Sequence, residues 1–188
     1  MSMLFGRRSA DLGPRNGGRA LARRARELAA EGKERRALVR ASTAYELLSD
    51  DWPVLDAFAT ATAFEDCAAA FTAFGRHTMA FRCLSAAVEV LRRLCVDEPG
   101  NGAAHVRFGV LGYAAYTSAV AGGRDPAALV DVLEFTVRAL GTALELGHVE
   151  PDTLIEVAKA LADRYEEAGR VDEAAAVRRS AEDLAESH

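Results

Sequence analysis

Glu145 and His148 have the spacing best suited to metal chemistry in this chain. A Glu-x-x-His step on a helix sets a carboxylate and an imidazole on one face, as in di-iron bundles. Such centres need a second copy of the motif and further carboxylates on facing helices. Only one copy occurs, and Gly147 places it at a helix end, so it reads as coincidence. Cys67, Cys83 and Cys95 form no CxxC pair, and their odd number inside apolar helical patterns argues against a disulfide framework. They are expected as small buried hydrophobes. His77 and His105 stand near helix starts, where surface or capping roles are the ordinary ones. Asp50-Asp51 and Asp97-Glu98 fall in turns, where acids favour the helix starts that follow. The chain has no Gly-rich phosphate loop, no GxSxG elbow and no Cys/His metal spacing. The expectation is a protein that is not an enzyme and takes no cofactor and no metal.

Charge is the second feature with chemical consequences. The net charge is −5, but residues 1–40 hold eleven Arg or Lys against four acids, and the remaining 148 residues hold twelve bases against twenty-four acids. The basic part includes Arg23, Arg24, Arg26, Lys33, Arg35 and Arg36. Such a segment can serve as an electrostatic footprint for nucleic acid or for an acidic protein surface. No aromatic residues are interleaved with these arginines for base stacking, which weighs against single-strand recognition and makes nucleic acid the lesser expectation. No apolar run approaches the roughly 20 residues that cross a bilayer, and the opening residues have no apolar core of signal-peptide length. No membrane contact and a cytoplasmic location are expected.

Any such surface must be positioned by helices. The chain has 39 alanines among 188 residues and few β-branched residues, and alanine is the best helix former. Glycine and proline punctuate the pattern. Residues 1–17 read as a flexible basic tail, and 18–188 as a single helical repeat domain. Helices are expected over about 18–31, 33–48, 53–74, 76–96, 103–121, 126–146, 151–168 and 170–186. Pro53 and Pro151 suit first helical turns, and Asp125 with Pro126 behind it is a natural cap. No stretch alternates with a period of two, so no sheet is expected. Gly32, Gly75, Gly122 and Gly169 divide four helix pairs at spacings of 43, 47 and 47 residues.

Aligning on these glycines exposes a repeat. Before Gly75 stand Phe64, Cys67, Ala68 and Phe71, and after it Ala80, Leu84 and Ala87. The same offsets give Ala158, Leu161, Ala162, Tyr165, Ala174, Arg178 and Ala181 around Gly169, and Leu21, Arg24, Ala25, Leu28, Ala37, Ala41 and Ala44 around Gly32. The unit around Gly122 keeps Leu111, Ala114, Ala115 and Ala127 but has Asp131 and Glu134 where small or apolar residues belong. Residues four and seven apart share a helix face. The large residue before the glycine can pack across the turn, and the alanines after it admit the second helix closely.

In this pattern the chain resembles the tetratricopeptide-repeat (TPR) family, most clearly in YEEAGRVDEAAAV at Tyr165–Val177 and AFTAFGRHTMAFRCLSAA at Ala70–Ala87. VDEPGN at Val96–Asn101 is similar to the proline-containing link that follows such a unit. The units here are longer than the family's, by a helical turn or more. The resemblance implies an all-α array of about four antiparallel helix pairs, a right-handed α-solenoid with lengthened helices. A HEAT-like repeat or a closed bundle is the alternative packing. It also implies a non-enzymatic adaptor or scaffold for a protein or peptide, with self-association possible. The alternatives are a nucleic-acid-associated regulator using the Arg-rich first pair, and a small helical-bundle enzyme.

In this family the first helix of each pair lines a concave groove. The offsets project Arg19, Arg26, Thr62, Glu65, Thr72, Tyr116, Lys159 and Asp163 onto that face. The lysine and asparagine clamp by which some members hold a terminal carboxylate has no counterpart here. Trp52, Phe58, Phe64, Phe71, Phe74, Phe81 and Phe108 gather in the middle of the chain and are expected to centre the core there. Phe71→Ala should accordingly lower stability by about 3–5 kcal/mol, read as a fall in the denaturant midpoint; an unchanged midpoint contradicts the packing role.

Overall fold

In a computed structural model, residues 14–49 and 56–186 are described, and every regular element among them is helical. The helices are α1 (Pro14–Ala30), α2 (Glu34–Ser49), α3 (Ala57–Thr72), α4 (His77–Asp97), α5 (Gly102–Ala121), α6 (Val130–Glu145), α7 (Pro151–Glu167) and α8 (Val171–Glu186), with a short 3-10 turn at Pro126–Leu129 before α6. Helix α1 packs on α2 and α3, and every later helix packs on those before and after it in sequence. Helices α1 and α8 therefore stand at the two ends of a chain of contacts.

Three helix starts differ from expectation, those of α1, α3 and α6. Helix α1 begins at Pro14, so the last four residues assigned to the tail are helical. Helix α3 begins at Ala57, where the Asp56 carboxylate accepts a hydrogen bond from the Ala59 backbone N–H at 3.0 Å. A side chain that satisfies an orphan amide marks a start more strongly than a proline upstream of it; Trp52 and Pro53 lie outside the described residues. Asp125 caps as expected, accepting from the Ala127 amide at 3.0 Å, but what it opens is the 3-10 turn.

That turn explains the irregular third unit. Within the pairs the left-handed turn residues are Gly32, Gly75 and Gly169, at φ of 70°, 67° and 75°, and then Gly123, not Gly122, at 81°; Gly147, between α6 and α7, is left-handed too at 72°. Only glycine adopts this conformation without strain. The regular pairs bury the alanines five and twelve residues beyond the turn: Ala37 and Ala44, Ala80 and Ala87, Ala174 and Ala181. In the third, the buried series is Leu129, Leu133 and Thr136, each one residue later when counted from Gly123. The 3-10 turn has taken up one residue, leaving Asp131 exposed and Glu134 half-buried.

The core forms two clusters. The larger joins α1 to α5, with Ala139 of α6, around Phe64, Cys67, Phe71 and Leu91, and the smaller joins Tyr116, Leu133, Leu140, Leu161 and Tyr165. Tyr45 meets Phe64 edge-on at 5.8 Å between ring centres. Phe64, Phe71 and Phe108 are buried as expected, whereas Phe58, Phe74 and Phe81 are half-buried. All three cysteines are free and buried. The neighbouring Cys83 thiol and burial raise the Cys67 pKa, and burial pushes the Cys95 thiol up to about 11. Neither supplies a thiolate at neutral pH.

Helix α5 approaches its neighbours through glycine. A methyl group at Gly109 would lie 2.4 Å from Leu140 Cγ, and one at Gly112 would lie 2.4 Å from Thr136 Oγ1. The His148 ring sits on Gly102 in the same way, with 2.1 Å left for a Cβ. Gly141, in α6, faces open space. The same substitution should therefore have opposite signs. Gly109→Ala and Gly112→Ala should each destabilise by about 1–3 kcal/mol through overpacking, while Gly141→Ala should stabilise by about 0.5–1 kcal/mol through helix propensity. Denaturant midpoints of the three variants check both directions.

Candidate binding groove

A cleft with charged and methyl walls lies between α1 and α3. Arg19, Ala20 and Arg23 of α1 face Ala59, Thr62, Ala63 and Asp66 of α3 across about 510 Å³. The alanines give it methyl surfaces, and the charged groups frame them. Arg19 spans the gap at one end, with Nη2 donating to Thr60 Oγ1 at 3.0 Å and to the Asp56 carbonyl at 3.3 Å, and Nη1 donating to Asp56 Oδ2 at 3.4 Å. Arg26, two turns further along α1, donates to Asp66 Oδ1 at 2.9 Å.

Helix α5 supports α3 on its other flank. Arg107 Nη2 donates to Thr62 Oγ1 at 3.0 Å and to Glu65 Oε2 at 2.5 Å. Three arginines on two helices thus hold α3 between them. Asp66 is 8% exposed, so its partner matters. The Asp66 hydrogen bond and charge raise the pKa of the Arg26 guanidinium further above its ordinary value. Arg23 is exposed on the groove wall and has no ion-pair partner among the described residues.

The projected face divides on this frame. Arg19, Arg26, Thr62 and Glu65 come together at the α1–α3–α5 contact. Thr72 is exposed at the last residue of α3, away from them. Tyr116 is not a groove residue: it is 8% exposed, belongs to the smaller core cluster, and stacks on Tyr113 at 6.2 Å and 8°. Burial is the main reason its phenol pKa is raised. An aromatic ring at the junction of α5, α6 and α7 gains more from apolar contact than from solvent. Lys159 is exposed on α7, and Asp163, also exposed, accepts from Arg178 Nη2 of α8 at 3.1 Å. That carboxylate is bound within its own helix pair.

Sequence projection missed Asp56, Asp66, Arg23 and Arg107. Asp66 carried a readable signal, a carboxylate next to Glu65 and Cys67 in an otherwise apolar run, because a buried charge requires a partner. Arg107 carried none, since its partners lie 42 and 45 residues away.

Elsewhere, no group of three His, Cys, Asp or Glu side chains among the described residues is placed to hold a metal ion. No helix among them is long and apolar enough to cross a membrane. No protein-family model and no curated protein matches this chain. The likeness to TPR proteins is carried by its own residues alone.

Removing Arg26 should strand the Asp66 carboxylate. Arg26→Ala is expected to cost about 1–3 kcal/mol, and adding Asp66→Ala should cost less than the two single changes summed. Urea unfolding of the four-member cycle reads that coupling; strict additivity contradicts it.

Proposed function

We propose that this chain is a non-enzymatic adaptor, a TPR-like right-handed stack of four antiparallel helix pairs that holds a segment of another protein between α1 and α3. The observation that supports this reading is the cleft itself: an open space with methyl surfaces whose walls Arg19, Arg26 and Arg107 tie in place. A cleft held before its ligand arrives avoids part of the ordering cost of association. A bound segment lays its apolar side chains over Ala20, Ala59 and Ala63. Its polar groups meet Thr62 at the rim, together with Arg23, a wall cation with no ion-pair partner among the described residues. The protein and peptide adaptors that the repeat resembles use the corresponding first-helix face.

Affinity capture of the tagged full chain from its native lysate tests this. The expected result is a stoichiometric protein that survives a salt wash and is lost from Arg23→Glu and Thr62→Trp, both at exposed positions lining the cleft. Nucleic acid that co-elutes without protein and leaves steeply as salt rises moves the function to the Arg-rich first pair. A protein retained equally by both variants places binding on another surface.

A further inference from the structure

The two ends of the contact chain carry opposite charge. Helices α1 and α2 with their turn, residues 14–49, hold nine basic against four acidic residues; α7 and α8 with theirs, residues 151–186, hold five basic against ten acidic. Much of the basic charge at the first end is already used. Arg24 pairs with Glu27 and Glu31, Lys33 with Glu31, and Arg19 and Arg26 with α3. Arg35, Arg36 and Arg40 of α2 are exposed and have no partner among the described residues. They surround Val39, which is 59% exposed. Residues 35, 36, 39, 40 and 43 share one face of α2 by the four-residue helical step. That face is an apolar side chain among cations that have no partner among the described residues, with exposed Glu46 at its far end, on the side opposite to buried Ala37, Ala41 and Ala44.

The other end offers a complementary shape. A groove of about 260 Å³ opens among α6, α7 and α8, lined by Val137, Leu154, Ile155, Val177, Ser180 and Leu184 among others. Helix α8 buries only Ala174 and Ala181, so its contact with α7 leaves larger apolar groups on the groove side. Asp172, Ala176, Ser180 and Asp183 follow one stripe of α8, at steps of four, four and three. Ala176 and Ser180 line the groove, which puts an acid at each end of its α8 wall, with exposed Arg179 beside Ser180.

We propose that the α2 face centred on Val39 docks into the α6–α8 groove of a second copy of this chain, so that copies associate head to tail. The two surfaces differ, and the contact is heterologous. Each copy added leaves one free end of each kind, which gives open, concentration-dependent chains and not a closed dimer. Association between surfaces of opposite charge weakens as ions screen them. The docking surfaces are separate from the α1–α3 cleft, so this assembly stands or falls apart from the adaptor reading.

Sedimentation velocity of the full chain over a range of concentrations, at low and high salt, tests it. The expected result is an average sedimentation coefficient that climbs with concentration beyond a dimer at low salt and falls at high salt. Arg35→Glu/Arg36→Glu/Arg40→Glu should weaken association about tenfold or more, as should Asp172→Lys/Asp183→Lys. An equimolar mixture of these two charge-reversed proteins should recover association, because each then presents ends that match the other's. That recovery separates lost complementarity from lost folding. Val39→Asp, at an exposed site, should weaken association while leaving helical circular dichroism unchanged. A single monomeric species under every condition overturns the proposal. So does a closed dimer indifferent to salt, association by the mixture no better than by either variant alone, or assembly that depends on co-purified nucleic acid.

Discussion

Two helices can lie closely side by side only where their crossing point has little side chain, and most contacts in this protein meet that requirement with a methyl group or less. Interaxial distances of roughly 8–10 Å depend on the residues at the contact. Ala22, Ala25, Ala41 and Ala44 meet that need in the first pair, where Gly18 also sits against Leu48. Ala80 and Ala87 do so in α4, and Ala174 and Ala181 in α8. Between α5 and α6 the approach is tighter still, and glycine replaces alanine at Gly109 and Gly112. Each helical glycine costs about 0.5–1 kcal/mol against alanine. The tight contacts that those two positions permit offset that cost.

Small crossing residues leave limited apolar area per interface, so the large buried side chains are few and placed apart. Phe64 and Leu91 anchor one cluster, Leu133 and Leu140 the other. Polar links between helices supplement them. Tyr165, the large residue four before Gly169, donates its hydroxyl to Glu134 Oε1 at 2.7 Å, while Arg170 lies 4.1 Å over its ring and donates to the same oxygen at 3.3 Å. Burial and then the Glu134 hydrogen bond push that phenol up to about 12, so it remains a donor at neutral pH. The position that packs across the turn elsewhere thus also joins α7 to α6.

The same economy shapes the surfaces. Because alanine fills the positions between α1 and α3, the space above it stays open as a cleft, and the arginines that bridge the helices keep it open. Because α8 closes on α7 through Ala174 and Ala181, the larger apolar groups beside that contact remain accessible. A helical chain built on small contacts leaves its open surfaces as gaps between helices and at its ends. The separation of basic and acidic residues along the sequence becomes a separation in space because the helices contact one another in sequence order.

Much of this was legible in the sequence. Alanine content, the absence of two-residue alternation and the glycine breaks determined an all-helical chain, nearly all its helix bounds, and the burial of Phe71, Cys67, Ala80 and Ala87, because these follow from local propensity and periodicity. The opposite charges of the two ends were also visible there. Tertiary structure decided what depends on a second helix. It turned Tyr116 inward, tied Asp163 to Arg178, and assembled the cleft from Arg19 and Asp66, 47 positions apart, with Arg107 holding α3 from its other flank. It also shifted the third unit by one residue, where Pro126–Leu129 forms a 3-10 turn before α6. Periodicity reports which face of a helix is buried, but only the neighbouring helix determines which side chains meet across it.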